Sequence, residues 1–138
     1  MKTKLNCILL VDDDESTNFL HEIIINQADI TNNVIARQSG SSALEYLQQK
    51  MNGEYPQPDL IFLDINMPGM NGWEFLDEYK KLEKAQQGKF VVVMLTTSLH
   101  PEDERRAKGM QEINDFMNKP LTVEMLKEVM EKYFPDNM

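Results

Sequence analysis

The chain has 138 residues, 41% of them hydrophobic and 27% charged, with a formal net charge of −9. That is one domain's length with enough apolar residues for a real core, and no apolar run reaches the ~20 residues of a membrane span. The acid excess argues against a phosphate backbone as direct partner, and the single cysteine, Cys7, can make neither an internal disulfide nor a zinc site, which points to a reducing, cytoplasmic setting.

The start, MKTKLNCILLVDDDE, lacks the small-residue cleavage site of a secretory signal, so 5–11 (LNCILLV) reads as a first strand with Cys7 as a small buried residue. In 15–27, Phe19, Leu20, Ile23 and Ile24 recur at helical spacing and read as a core stripe, with His21 as a solvated helix residue. A second strand, 33–36 (NVIA), is followed by a helix over 40–51 with Ala43, Leu44, Leu47 and Met51 inward. A surface loop over 53–58 leads to a third strand, 59–64 (DLIFLD). The pattern Trp73, Leu76, Tyr79, Leu82 predicts a helix over 72–87, and FVVVML a fourth strand over 90–95. Pro101 opens a helix over 101–110, where Glu102 and Asp103 suit the positive N-terminus and His100 stands just before it as an ordinary surface residue. A fifth strand, 113–117, precedes a helix over 122–134 with Thr122 as N-cap and Leu126, Val129, Met130 and Tyr133 as its stripe.

Five β-α repeats predict an α/β fold, a doubly wound parallel sheet with helices on both faces. The first, third and fourth apolar runs do not alternate with polar residues, as suits strands covered on both sides. Residues 1–138 read as one domain with a core of about 4–134.

In such a sheet, ligands gather beyond the carboxyl ends of the strands. Strand 1 ends in Asp12-Asp13-Asp14, strand 3 in Asp64, strand 4 in Thr96-Thr97-Ser98 and strand 5 in Lys119-Pro120. Two carboxylates ~4 Å apart repel by about 1 kcal/mol in water and about 4 at an effective dielectric of 20. A hard divalent cation removes that penalty, so Asp13 and Asp64, with Asp12 behind, read as a Mg²⁺ site. Asp14 reads as a helix cap. Asp64 is then placed to attack phosphorus and form an aspartyl-phosphate, with Thr96 and Lys119 holding the other phosphoryl oxygens.

The motifs ILLVDDDE, DLIFLDINMPGMNG, VVVMLTTS and FMNKPL, in that order and spacing, make the chain resemble the receiver domain of two-component response regulators, of the chemotaxis type that stands alone. The resemblance spans strand 1 to the last helix. It implies a flavodoxin-like sheet of order 2-1-3-4-5 and Asp64 as phospho-acceptor. It implies Mg²⁺ held by Asp13, Asp64 and the backbone carbonyl of Asn66, with Asp12 acting through water. It implies a cis Lys119–Pro120 bond and a switch in which Thr96 moves toward the phosphoryl group and Phe116 turns inward, altering the face made by helix 4, strand 5 and helix 5. Asn66 and Ser98, two residues past the acceptor and the threonine, border the path of attacking water, and the loop around Ser98–Pro101 holds one residue more than is usual in the family.

The implied partners are a histidine kinase or histidine phosphotransfer protein and an unknown downstream protein, with no membrane or nucleic acid, and a monomer or weak dimer. No enzyme activity is expected beyond self-phosphorylation from phospho-donors and slow autodephosphorylation. A dehalogenase-type phosphatase needs a second Asp where Asn66 stands, and Asp12–Glu15 would repel the phosphate of a flavin. An interaction module on the same fold that does not use phosphate stays open as the alternative.

Overall fold

The computed structural model describes residues 4–87, 91–97 and 100–137. Five strands, β1 (Leu5–Val11), β2 (Thr31–Arg37), β3 (Leu60–Leu63), β4 (Val91–Thr96) and β5 (Asp115–Asn118), form one parallel sheet in the order β2-β1-β3-β4-β5. Five helices alternate with them: α1 (Glu15–Ala28), α2 (Gly40–Gln48), α3 (Gly72–Lys80), α4 (Pro101–Lys108) and α5 (Val123–Tyr133). The expected α/β architecture and strand order are what the chain adopts.

The unalternating runs are explained by the pleat. Successive side chains leave opposite faces of a strand, so each run is divided between two cores. Leu9, Val11, Ile61, Leu63 and Met94 pack with α2, α3 and α4. Ile8, Leu10, Leu60, Phe62, Val93 and Leu95 pack with α1 and α5. The local signals hold at several helix ends. Asp14 caps α1, accepting from the Ser16 N–H; Thr122 caps α5, accepting from the Met125 N–H; Pro101 opens α4. Asn71 and Glu74 form a reciprocal capping box at the start of α3.

Four expectations fail. The α1 stripe faces water: Phe19 is 65% exposed, Leu20 46% and Ile23 39%, while Asn18, His21 and Ile25 are buried and Ile24 is half-buried. The stripe has the right spacing but lies on the far side of the helix, because Asn18 and His21 have hydrogen-bond partners beneath them. His21 is therefore buried rather than solvated. The second helix stops at Gln48, and Met51 lies outside it, 66% exposed, in a bridge with Glu54. The third helix stops at Lys80, and a short 3₁₀ turn follows over Lys84–Gln86. Phe90 and Ser98, assigned to strand 4 and its end, lie outside the described residues.

Candidate functional site

β1 and β3 are adjacent, and their register pairs Val11 with Leu63, so Asp12 and Asp64 leave the sheet side by side. The Asp64 N–H donates to the Val11 carbonyl (2.9 Å), and the Asp12 N–H to the Arg37 carbonyl (3.1 Å), which extends the ladder through both acids. The alternation that sends Leu10 and Phe62 toward α1 and α5 sends Asp12 and Asp64 the same way. Asp13, next in the chain, is exposed at the rim.

One carboxylate oxygen from each of Asp12, Asp13 and Asp64 lies within 4.8 Å of the others. Lys119, at the end of β5, reaches across and pairs with Asp12 and, at 3.3 Å, with Asp64. Its side chain is 12% exposed, so this ammonium belongs to the site and not to the solvent. Three acids facing one ammonium leave an excess of negative charge in a half-enclosed place. Burial pushes the Asp64 carboxyl above the ordinary carboxylate range, and the Asp12 charge adds to this, while Lys119 and the Asn66 N–H oppose it. An all-oxygen donor set of clustered carboxylates fits a hard divalent cation such as Mg²⁺.

The neighbouring residues fall into distinct roles. Asp14, third in the acidic run, takes the Thr17 hydroxyl (2.7 Å) and the Ser16 N–H (3.1 Å), and the Thr17 bond foremost holds its carboxyl below the usual value. Thr96 is fully buried at the end of β4, and its carbonyl accepts from the Lys119 N–H (2.8 Å). Thr97 beside it is exposed. Phe116 is half-buried, pairs in register with Met94, and packs against the core beneath α4. Asn66 is exposed in the loop after β3. The Lys119–Pro120 peptide bond is cis. His100 is exposed and stands at the N-cap of α4 without a side-chain capping bond.

The loop after β3 is shaped by glycine at two points. Gly69 has φ +77°, open to glycine without strain. At Gly72 a Cβ would meet the Asp64 carbonyl oxygen at 2.5 Å, so α3 starts directly against the backbone of the acid.

Asn18 was not singled out from the sequence, and His21, read there as a solvated helix residue, lies beneath the site. Asn18 Nδ2 donates to the Asp12 carbonyl (2.9 Å), and His21 Nε2 accepts from the Leu121 N–H (3.3 Å). Both line a void of about 10 Å³ beneath Asp12 and Asp64. Burial holds the His21 imidazole below its ordinary pKa, with Asp12 opposing and Lys119 adding. The signal that could have found them is their spacing with Ile25: positions 18, 21 and 25 share one helical face, and two of them are polar.

The sequence model of the response regulator receiver domain matches residues 8–131. The response regulator Rcp1 of Synechocystis is 36% identical over 115 residues, covering 81% of this chain and 75% of its own. The probable methanogenesis regulatory protein FilR2 of Methanothrix harundinacea is 32% identical over 125 residues, covering 91% of this chain and 79% of its own. Among solved structures, a two-component response regulator from Cytophaga hutchinsonii superposes with a TM-score of 0.81 at 33% identity, over 94% of this chain and 97% of its own.

Proposed function

The chain belongs to the response regulator receiver family, and from that premise we propose that it is a phosphorylatable receiver of two-component or phosphorelay signalling in which Asp64 accepts the phosphoryl group. The observation that carries this reading is the meeting of Asp12, Asp13 and Asp64 with the Lys119 ammonium at one sheet edge. The donor is a histidine kinase or histidine phosphotransfer protein. An Asp64 carboxylate oxygen forms the O–P bond while the P–N bond of the phosphohistidine breaks, and the imidazole leaves with the electron pair. Asp13, Asp64 and the Asn66 carbonyl would hold Mg²⁺, with Asp12 acting through water, and the ion would supply positive charge to screen the carboxylates from the phosphoryl oxygens. The Lys119 ammonium and the Thr96 hydroxyl hold the remaining phosphoryl oxygens.

The output follows from the sheet. Thr96 stands on β4 and Phe116 on the adjacent β5, with Met94 paired to Phe116. Movement of Thr96 toward the phosphoryl group opens space for Phe116, and the face made by α4, β5 and α5 changes for a downstream protein or for onward transfer. Phe19, Leu20 and Ile23 add an exposed apolar surface on α1 near the acidic edge, suited to docking of the donor. Residues 1–138 act as one receiver domain with a core of about 4–134, a monomer or weak dimer working in the cytoplasm, where ATP-fed donors work. Its own catalysis is limited to self-phosphorylation from phospho-donors and slow autodephosphorylation.

The test is intact mass after incubation with acetyl phosphate and Mg²⁺, beside Asp64→Asn. One phosphoryl group is gained by the wild type only, and chelation of Mg²⁺ abolishes the gain. A folded protein that gains none, from acetyl phosphate or from histidine kinases, would instead be an interaction module that does not use phosphate.

A further inference from the structure

His21 is a buried titratable side chain that phosphoryl transfer does not use. It is 2% exposed, and its Nε2 accepts from the Leu121 N–H at 3.3 Å. In a neutral ring this places the proton on Nδ1. Leu121 stands two residues after Lys119, and Pro120 between them has no N–H. The Leu121 N–H is therefore the first backbone donor after Lys119 that can tether the turn. The other tether is the Lys119 N–H itself, which donates to the Thr96 carbonyl at 2.8 Å. The turn that carries the ammonium is thus held by β4 on one side and by α1 on the other.

The same helix holds the opposite charge. Asn18, three residues before His21, donates through Nδ2 to the Asp12 carbonyl at 2.9 Å. One rigid element thus grips both the backbone that bears Asp12 and the backbone that bears Lys119. The two charges it sets against each other are the closest pair of the site.

We infer that His21 is a positioning residue: by accepting the Leu121 N–H it sets where the Lys119 ammonium stands against Asp64 and against the phosphoryl group Asp64 takes up. This rests on Asp64 as phospho-acceptor. Without the acceptor, Leu121 keeps a buried N–H with no partner, and the turn shifts to find one.

The experiment compares wild type, His21→Leu and His21→Gln by two readouts. Leu fills the volume without an acceptor, and Gln brings an amide oxygen to the reach of Nε2. The first readout is the rate at which an amine-reactive acylating reagent labels Lys119, followed by peptide mass. The second is the rate of phosphorylation by acetyl phosphate with saturating Mg²⁺. His21→Leu labels Lys119 several-fold faster and is phosphorylated roughly tenfold more slowly, a loss of the size that misplaced groups cause. His21→Gln restores both. If the Leu variant does not fold, His21→Asn, an amide too short to reach Leu121, takes its place. Unchanged Lys119 labelling in the Leu or Asn variant, or Gln behaving like them, overturns the inference. A wild type that takes up no phosphate overturns the phosphoryl-acceptor reading instead, while the labelling readout still decides whether His21 places Lys119.

Discussion

Asp12, Asp13 and Asp14 are chemically alike and adjacent, yet the fold gives them different surroundings. Asp12 is buried against Lys119, Asp13 is exposed at the rim, and Asp14 closes the first turn of α1. The difference comes from a strand ending and a helix beginning within three residues, so each carboxylate points to a different medium. Cys7 shows the same dependence on place. Its Sγ lies 3.6 Å from the Tyr46 hydroxyl, and burial pushes the thiol up from its ordinary pKa. The thiolate is the reactive form, so a raised pKa means less of it at neutral pH. We expect iodoacetamide to modify Cys7 no faster than the protein opens, with full modification in denaturant. Rapid alkylation of the folded protein, read by mass, would contradict this.

Among elements, α1 and α3 illustrate two ways a helix is placed. α3 is placed by contact: the Gly72 N–H donates to the Ile65 carbonyl at 2.8 Å, and the missing Cβ lets the helix abut the Asp64 backbone. Gly72→Ala is expected to cost about 1–3 kcal/mol as overpacking, and to slow phosphorylation because the strain falls on Asp64, the acceptor proposed above. A thermal melt and the acetyl phosphate assay check both; an Ala variant as stable and as fast as wild type would mean the backbone yields freely there. α1 is held by hydrogen bonds at Asn18 and His21 as well as by the apolar packing of Ile25. Its periodicity marks Phe19, Leu20, Ile23 and Ile24 as one stripe, but only Ile24 turns partly inward. Periodicity shows that a stripe exists and not which way it faces. The inner direction is decided by partners distant in sequence, Leu121 above all, a hundred residues away.

For the whole molecule, the sheet divides the central apolar residues, such as Leu9, Ile61 and Met94 against Leu10, Phe62 and Val93, between two cores and leaves the strand ends to carry charge. Gathering three carboxylates costs stability that a bound cation returns. Mg²⁺ binding as proposed, to the folded state alone, would stabilise it by about 2.7 kcal/mol at a hundred times its dissociation constant. The melting temperature of the wild type should therefore rise with Mg²⁺, and that of Asp13→Asn should rise much less at equal concentration. Equal rises in both proteins would place the ion away from this edge.

Local pattern was enough for the alternation of strands and helices, the burial of the central strands, and the residues at the strand ends, because period and punctuation are local properties of the chain. Through its motifs it also carried the family and the strand order. Element ends were read less well at Met51 and beyond Lys80, where apolar spacing continued past the point at which the helix stopped. Folding in three dimensions was needed to bring Lys119 against Asp12 and Asp64, to turn Phe19 of α1 outward, and to hold His21 and Asn18 under the site. The pairings of Lys119 with Asp12 and Asp64 and of His21 with Leu121 are contacts between segments far apart in the chain. Burying a polar side chain is favourable only where a particular partner meets it, and no local pattern records where that partner will be.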